Sequence, residues 1–571
     1  MSLPGRLLPF RLLVVGKEWA KQVRWKRCIL PAIVLLVLIV FVLYPMLSVL
    51  LKSLTVDGLP SLANYATVFT KPRLGRTILN SLLMATGSAI LSTLLGLIIA
   101  LTTLRTTLLG RRFFGVVAVL PIIIPGFVNS VAYIFLFGRN GLITYKLLNL
   151  TWDIYSWRSV LILQMLGLTT TTFLLVSAVL VGVDSQTEDA ARNLGASEWE
   201  VLTTVTLPLI RPGLVSALLL AFLRSMADFG TPYIVGGGFN TLATASYTQL
   251  IGVYDIEMAS TLNVILLAFC LCVFWLYSRA QAASTEVPVQ AESGQRRPLG
   301  LSRPVKAAMW IICFGFSVVI LLLLASVFLA AFTRHLGGDF TLTLDHFRIL
   351  PQRGWNSTRN TLVFATVTSI LMSLTGIVVA YLVTRMDFRG RQAINLLATL
   401  PFAIPGTFMG IGYALAFGRP PLVLSGTWAI VVACTIIREL PLGLRAGVSV
   451  LMQQDPSIED ASANLGASRL VTFVRIVLPL ARPALLVSAL YAFVSTVKTL
   501  GAIIFLITPS NKVLAADVFE ATVRGDVGDA AALSALVILI AALGMIAIYA
   551  ISTREATQVW VRKVLTSRTP T

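Results

Sequence analysis

The sequence predicts an all-α polytopic membrane protein of about twelve transmembrane helices, arranged as two parallel six-helix repeats. Three observations carry that expectation. Of 571 residues, 57% are apolar and only 12% charged, with mean hydropathy +0.86, whereas a soluble chain has about a quarter of its residues charged. Apolar runs recur that reach the roughly 20 residues a spanning helix needs, too long for transmembrane strands of about 9–11. The two halves of the chain also repeat each other.

Residues 1–28 are basic, with Arg6, Arg11, Lys17, Lys21, Arg24, Lys26 and Arg27 among Leu7, Leu8, Phe10, Leu12, Leu13 and Trp19. That mixture suits the membrane interface. The following run, 29–51, exceeds the apolar region of a signal peptide and lacks a small-residue cleavage site, so it reads as an uncleaved first span. Further spans are expected near 79–104, 114–138, 160–183, 214–236 and 259–278, then 307–332, 360–384, 395–418, 427–452, 484–507 and 530–551. A stretch rich in Ser, Pro, Gln and Ala, 279–306, separates them as a linker. The expected division is a cytoplasmic segment 1–28, a first half 29–278, the linker, a second half 307–552 and a cytoplasmic tail 553–571.

The formal charge of +20 is spread along the chain rather than gathered in one patch. About twice as many Lys and Arg fall on the side of the N-terminus as on the opposite side, though Arg334, Arg348, Arg353 and Arg359 dilute the bias. The charge therefore reads as topology, with both termini and the linker cytoplasmic, and not as a nucleic-acid surface. Cys28, Cys270, Cys272, Cys313 and Cys434 sit in or beside apolar runs and read as packing residues, with no disulfide or metal site expected. His335 and His346 lie in one polar loop and read as surface residues. No G-x-x-x-x-G-K-[ST] string, dinucleotide fingerprint or Ser/His/Asp set is present, so a transport subunit without catalytic residues, cofactor or metal is expected.

Asn80-Ser81-Leu82, Ala85-Thr86, Gly96, Ala100 and Arg105 recur 280 residues later as Asn360-Thr361-Leu362, Ala365-Thr366, Gly376, Ala380 and Arg385. LPIIIPG at 120–126 recurs as LPFAIPG at 400–406. Each repeat holds an even number of spans, so both enter the membrane in one orientation, related by an axis along the membrane normal. A pathway would run between them.

Between the fourth and fifth spans of each half lies a long loop, EDAARNLGASEWEVLTTVTLPLIRPGL at 188–214 and EDASANLGASRLVTFVRIVLPLARPAL at 459–485, matched without gaps at a shift of 271. Asp189 through Leu194 reads as a short helix with acidic residues at its N-terminus and Gly195 as its C-terminal cap. Ala196-Ser197 restarts a second helix, and Pro208 and Pro212 are expected to break the chain before it re-enters the membrane. Such a loop is either an ordinary connecting hairpin or a surface that inserts into a partner, and its duplication at equivalent places favours the partner.

These loops resemble the EAA motif of binding-protein-dependent ABC importers, and nearly the whole chain resembles their fused two-half permeases. The pattern Glu-Ala-Ala, three residues, Gly, spacer, Leu-Pro falls on Asp189-Ala190-Ala191, Gly195 and Leu207-Pro208, and again on Asp460-Ala461-Ser462, Gly466 and Leu478-Pro479. Asp replaces Glu in both copies, and Ser462 replaces the second Ala. The resemblance implies a type I ABC importer permease fold in a bacterial inner membrane. It also implies docking of two ABC ATPase subunits, which bind the ATP, through Asp189, Ala190, Ala191, Leu194, Gly195 and Pro208, and through Asp460, Ala461, Ser462, Leu465, Gly466 and Pro479. A periplasmic or lipid-anchored substrate-binding protein is the third partner.

Charged residues at membrane depth cost about 2.5–3.5 kcal/mol each on insertion scales and are functional candidates. The fifth span carries Arg224 and Asp228, four apart and able to pair on one helix face; the eleventh carries Lys498-Thr499, with Asp228 matching Thr499. These groups either meet as a structural pair closing the interface between halves or contact substrate. The tenth span has Arg438-Glu439-Leu440-Pro441, absent from the fourth, and a Glu439 with Lys498 pairing is expected.

DFGTPYIVGG at 228–237 and IIFLIT at 503–508 resemble segments of the fused permeases serving ferric-ion importers. Relatives within that group are assigned to 2-aminoethylphosphonate, and more distant ones to thiamine or polyamines. No carboxylate, Tyr or His cluster for iron is visible, which agrees with specificity lying in the binding protein. An ATPase-independent secondary transporter would share the parallel repeats, but not the duplicated loop.

Overall fold

The structure is a computed structural model that describes residues 29–139, 141–150, 153–285, 298–335, 339–348 and 354–566. The interfacial segment 1–28 and Cys28 with it, linker residues 286–297, Arg353 and the tail end 567–571 lie outside the described residues.

Among the described residues, eight helices are long and apolar enough to cross a bilayer unaided: Ile29–Ser53, Pro72–Arg105, Trp157–Gly182, Glu198–Met226, Ile256–Gln281, Arg303–Phe332, Trp355–Arg385 and Val527–Ile548. Three more spans are bent helix pairs, Arg111–Ile122 with Gly126–Leu147, Arg391–Phe402 with Gly406–Ala416, and Arg469–Leu480 with Arg482–Lys498. The remaining expected segment is the helix Trp428–Gln453, whose 26 residues suffice to cross although Arg438, Glu439 and Arg445 interrupt its apolar surface. All twelve expected spans thus have helical counterparts. Two short antiparallel hairpins, Thr55–Val56 with Leu59–Pro60 and Thr333–His335 with Asp339–Leu342, follow the first span of each half.

Within each half the tightest partners are the second and fourth spans, Pro72–Arg105 on Trp157–Gly182 and Trp355–Arg385 on Trp428–Gln453. Small residues allow that approach. A Cβ at Gly376 would lie 2.7 Å from the backbone carbon of Gly443. The first span of each half packs on the sixth span of its own half and also crosses to the other half. Ile29–Ser53 packs on Gly406–Ala416, where Tyr413 Oη donates to the Phe41 carbonyl at 2.7 Å. Reciprocally, Arg303–Phe332 packs on Gly126–Phe137 and Pro72–Arg105, with Trp310 Nε1 donating to the Leu109 carbonyl at 3.1 Å.

The repeated Asn-Ser and Asn-Thr have a common task. Asn80 Nδ2 donates to the Asn240 carbonyl at 2.9 Å, and Ser81 Oγ accepts from the Leu242 N–H at 2.7 Å, pinning the start of the helix Leu242–Tyr247. Asn360 Nδ2 reaches the carbonyls of Ser510 and Lys512, and Thr361 Oγ1 accepts from the Leu514 N–H, pinning Leu514–Arg524 alike.

Several local expectations are corrected. The third and ninth spans break at Pro125 and Pro405, which are extended and lack the N–H that a continuous helix requires; the ninth bends by 115°. The fifth span ends at Met226 and the eleventh at Lys498, short of 236 and 507. Pro208 and Pro212 do not break the chain, because a π-helical stretch Val201–Thr206 runs directly into Leu207–Met226 with Pro212 inside it. In the second half the break falls at Ala481, with a 71° bend. Cys272 is exposed while Cys270, Cys313 and Cys434 are buried. His346 is largely enclosed, its ring bonded to the Thr333 carbonyl at 3.0 Å and 3.6 Å from Asp529.

Candidate functional site

The two repeated loops fold alike. Asp184 accepts from the Gln186 N–H to start the helix Ser185–Asn193, and Gly195 ends it at φ +90°. The Gly195 N–H donates to the Arg192 carbonyl at 2.9 Å and the Ala196 N–H to the Ala191 carbonyl at 3.1 Å, the bond pair of a Schellman cap. Gly466, at φ +83°, ends Ser457–Asn464 with the same two bonds, to Ala463 and Ser462. Ser197 then caps the next turn through the Glu200 N–H.

This geometry leaves an apolar tip in water. Leu194 is 90% exposed and Leu465 89% exposed, beside exposed Ala190 and Ala461 and exposed Trp199 and Leu470. Asp460 is exposed, whereas Asp189 accepts from Arg192 Nη1 at 2.9 Å. Arg192 also donates to Glu198, chiefly for which its guanidinium pKa is raised above the ordinary value. Ala191 is half-buried, and Ser462 is buried and shares a hydrogen bond with Thr472. Pro208 is exposed and Pro479 half-buried, each at the start of a membrane re-entry.

Behind each tip lies an ion pair. Arg105, at the end of the second span, binds Glu188 with both side chains almost wholly enclosed, and Thr206 Oγ1 donates to the other carboxylate oxygen at 2.7 Å. Arg385 pairs with Glu459 at 3.1 Å, and Tyr381 Oη adds a bond of 3.0 Å. The tips are thus coupled to the second and eighth spans.

At the interface between halves is a cavity of about 330 Å³. Its wall carries all six intramembrane candidates, Arg224, Asp228, Arg438, Glu439, Lys498 and Thr499, with the proline breaks 121–126 and 401–405 from the two halves. On the side away from the loops, Phe229, Tyr233 and Tyr247 of the first half pack against Phe505 and Phe519 of the second, with ring centroids 5.3–6.0 Å apart.

The chain matches the family described as "binding-protein-dependent transport system inner membrane component" twice, over residues 92–283 and 372–555. It belongs to that family. Among similar proteins, the ferric transport system permease protein FbpB of Actinobacillus pleuropneumoniae is 31% identical over 91% of this chain and 78% of the relative. A putative ferric transport system permease protein FbpB 1 of Haemophilus influenzae is 32% identical over 84% and 78%. The molybdenum transport system permease ModB of Escherichia coli matches one part, 32% identical over 31% of this chain and 79% of its own length. The chain is accordingly a fused permease of an ATP-driven ABC importer, a multi-pass inner-membrane transport subunit of the type I permease fold.

Within this permease the cavity charges pair differently from the sequence expectation. Asp228 lies beyond the helix end at Met226, so it does not face Arg224 four residues earlier. Its carboxylate accepts from Gln164 Nε2 at 3.0 Å and from the Thr231 N–H at 3.2 Å. Arg224 donates instead to Tyr491 Oη of the other half at 2.8 Å. Glu439 binds Ser495 Oγ at 2.7 Å and lies 3.8 Å from Arg438, while Lys498 Nζ donates across the interface to the Ile122 carbonyl at 2.7 Å. The expected Glu439 with Lys498 pair is therefore not formed. Thr499 Oγ1 donates to its own helix, at the Ser495 carbonyl. Sequence reasoning missed Glu188, Gln164 and Tyr491 as partners, although the recurrence of Arg105 as Arg385 marked one side of the first pairing.

Proposed function

We propose that the permease imports ferric iron, handed over by an extracytoplasmic binding protein, driven by two ATPase subunits that hydrolyse ATP on the cytoplasmic side. The observation that carries this reading is the pair of equivalent loops, each presenting an exposed leucine on a Gly-capped helix anchored by an ion pair to a membrane span. Inserted into clefts on the ATPases, the tips would transmit closure of the ATPase dimer to the two halves, which open the central cavity to one side and then the other. That reading places the loops, the linker and both termini in the cytoplasm. The ferric cargo is supported by the relatives named for ferric transport, which match most of the chain. Among the described residues no group of three His, Cys, Asp or Glu side chains could hold a metal ion, so iron selection is assigned to the binding protein.

The test is uptake of radiolabelled ferric iron by proteoliposomes holding the permease, its ATPase and its binding protein. Accumulation requiring internal ATP and both partners is expected. Uptake by the permease alone under an ion gradient would overturn the reading.

A further inference from the structure

We infer that the central cavity is built to hold an oxyanion group of the transported solute, so that a bare trivalent cation is not what passes between the halves. This rests on the reading of the cavity as the transport pathway and names the chemistry that pathway accepts.

The first support is charge. Arg224, Arg438 and Lys498 line the cavity together with Asp228 and Glu439, and both carboxylates are already engaged. Asp228 holds Gln164 and the Thr231 N–H; Glu439 holds Ser495 and sits beside Arg438. Donor capacity is left over. Arg438 Nη1 is buried without a hydrogen-bond partner, and neither Arg224 nor Lys498 has a carboxylate within ion-pair distance among the described residues. Their acceptors are neutral, a phenol and a backbone carbonyl. Cations in a site of low dielectric gain more from an anion than from such neutral acceptors.

The second support is independent of side-chain charge. The helices Gly126–Phe137 and Gly406–Ala416 both start at the cavity wall, one from each half, and Pro125 and Pro405 provide no side-chain cap. Their positive ends and first N–H groups therefore point toward the same space. The Arg438 guanidinium lies against the second of these starts, since a Cβ on Gly406 would fall 2.5 Å from Nη1. A metal cation would meet like charge and occupied oxygens. An oxyanion would meet two helix N-termini and three cationic side chains.

The same contacts suggest how occupancy acts on the halves. Lys498 of the second half holds a first-half carbonyl, and Arg224 of the first half holds a second-half phenol. Both are latches across the interface. An oxyanion competing for Lys498 and Arg224 releases the latches when the cavity fills.

The test uses proteoliposomes with the complete importer, supplied with radiolabelled ferric iron and radiolabelled inorganic phosphate as the sole external oxyanion. Phosphate label is expected to accumulate, and Arg438→Gln with Lys498→Gln to lower it about ten-fold or more, while Arg438→Lys retains most of it. ATPase co-purification with each variant separates loss of transport from loss of assembly. Phosphate with iron identifies the oxyanion as a ligand of the iron; phosphate without iron identifies it as the cargo and removes the ferric reading while sustaining this one. Iron without phosphate overturns the inference and leaves the ferric reading standing. No accumulation of either, or phosphate uptake indifferent to loss of both charges in an assembled complex, also overturns it.

Discussion

Arg105 and Glu188 form an ion pair whose side chains are 1% and 3% exposed, joining the end of the second span to the first repeated loop. Glu188→Gln would keep the acceptor for Thr206 but leave the Arg105 charge buried without its carboxylate. Breaking such a pair on one side costs about 3–5 kcal/mol. Glu459→Gln should cost less, because Arg385 Nη2 also donates to the carbonyls of Leu451 and Gln454 at 2.7 Å. Thermal unfolding of the purified permease ranks the two variants, and a larger loss for Glu459→Gln would contradict the assignment.

The loop tips separate docking from folding. Leu194→Asp and Leu465→Asp alter side chains that stand almost free in water, so the permease should keep its melting temperature, as surface changes generally do within about 0.5 kcal/mol. ATPase co-purification should fall with each variant and be lost with both. Retention of full ATPase binding by the double variant would show that docking lies elsewhere.

Much of this was legible in the residues, for definable reasons. A run such as 307–332 has one solvent in which it is stable, so its helix is readable without knowing any partner. The Gly195 cap is legible because the bonds it makes close within six residues. Pairings between spans are not. Arg224 with Asp228 was reasonable only for a helix continuing past 226, and the helix stops there because Asp228 turns to cap the Thr231 N–H. Lys498 reaches Ile122 because Pro125 bends the third span away and leaves 120–122 facing the interface, an angle that a proline permits without specifying.

Arg224 and Tyr491 hold the halves together through a single charged hydrogen bond. Tyr491→Phe removes the acceptor and preserves the ring, at a cost of about 1.5–3 kcal/mol for a bond to a charged group. If that bond favours the closed interface, basal ATP hydrolysis of the assembled transporter should rise without its binding protein. Arg224→Met should raise it similarly, and the double variant no further. Additive effects would mean that the two residues act separately, and unchanged basal hydrolysis would mean that the bond is no latch.

Close packing of the eighth span, Trp355–Arg385, on the tenth, Trp428–Gln453, depends on the absence of a side chain at Gly376. Gly376→Ala places a methyl 2.7 Å from the backbone of Gly443, where no flexible side chain can give way. The helices must separate, at about 1–3 kcal/mol for overpacking, and Arg438 and Glu439 on the tenth span move with them. Gly315→Ala provides the matched control. It lies within the helix Arg303–Phe332 with nothing inside 4 Å of an added Cβ, so the change should be neutral or gain up to about 1 kcal/mol from helix propensity. Melting temperatures of the two variants should therefore move in opposite directions or differ by several degrees. Uptake should fall only for Gly376→Ala, since it alone shifts the cavity wall. Equal stability and uptake in both variants would show that the span contact tolerates a wider separation than its geometry implies.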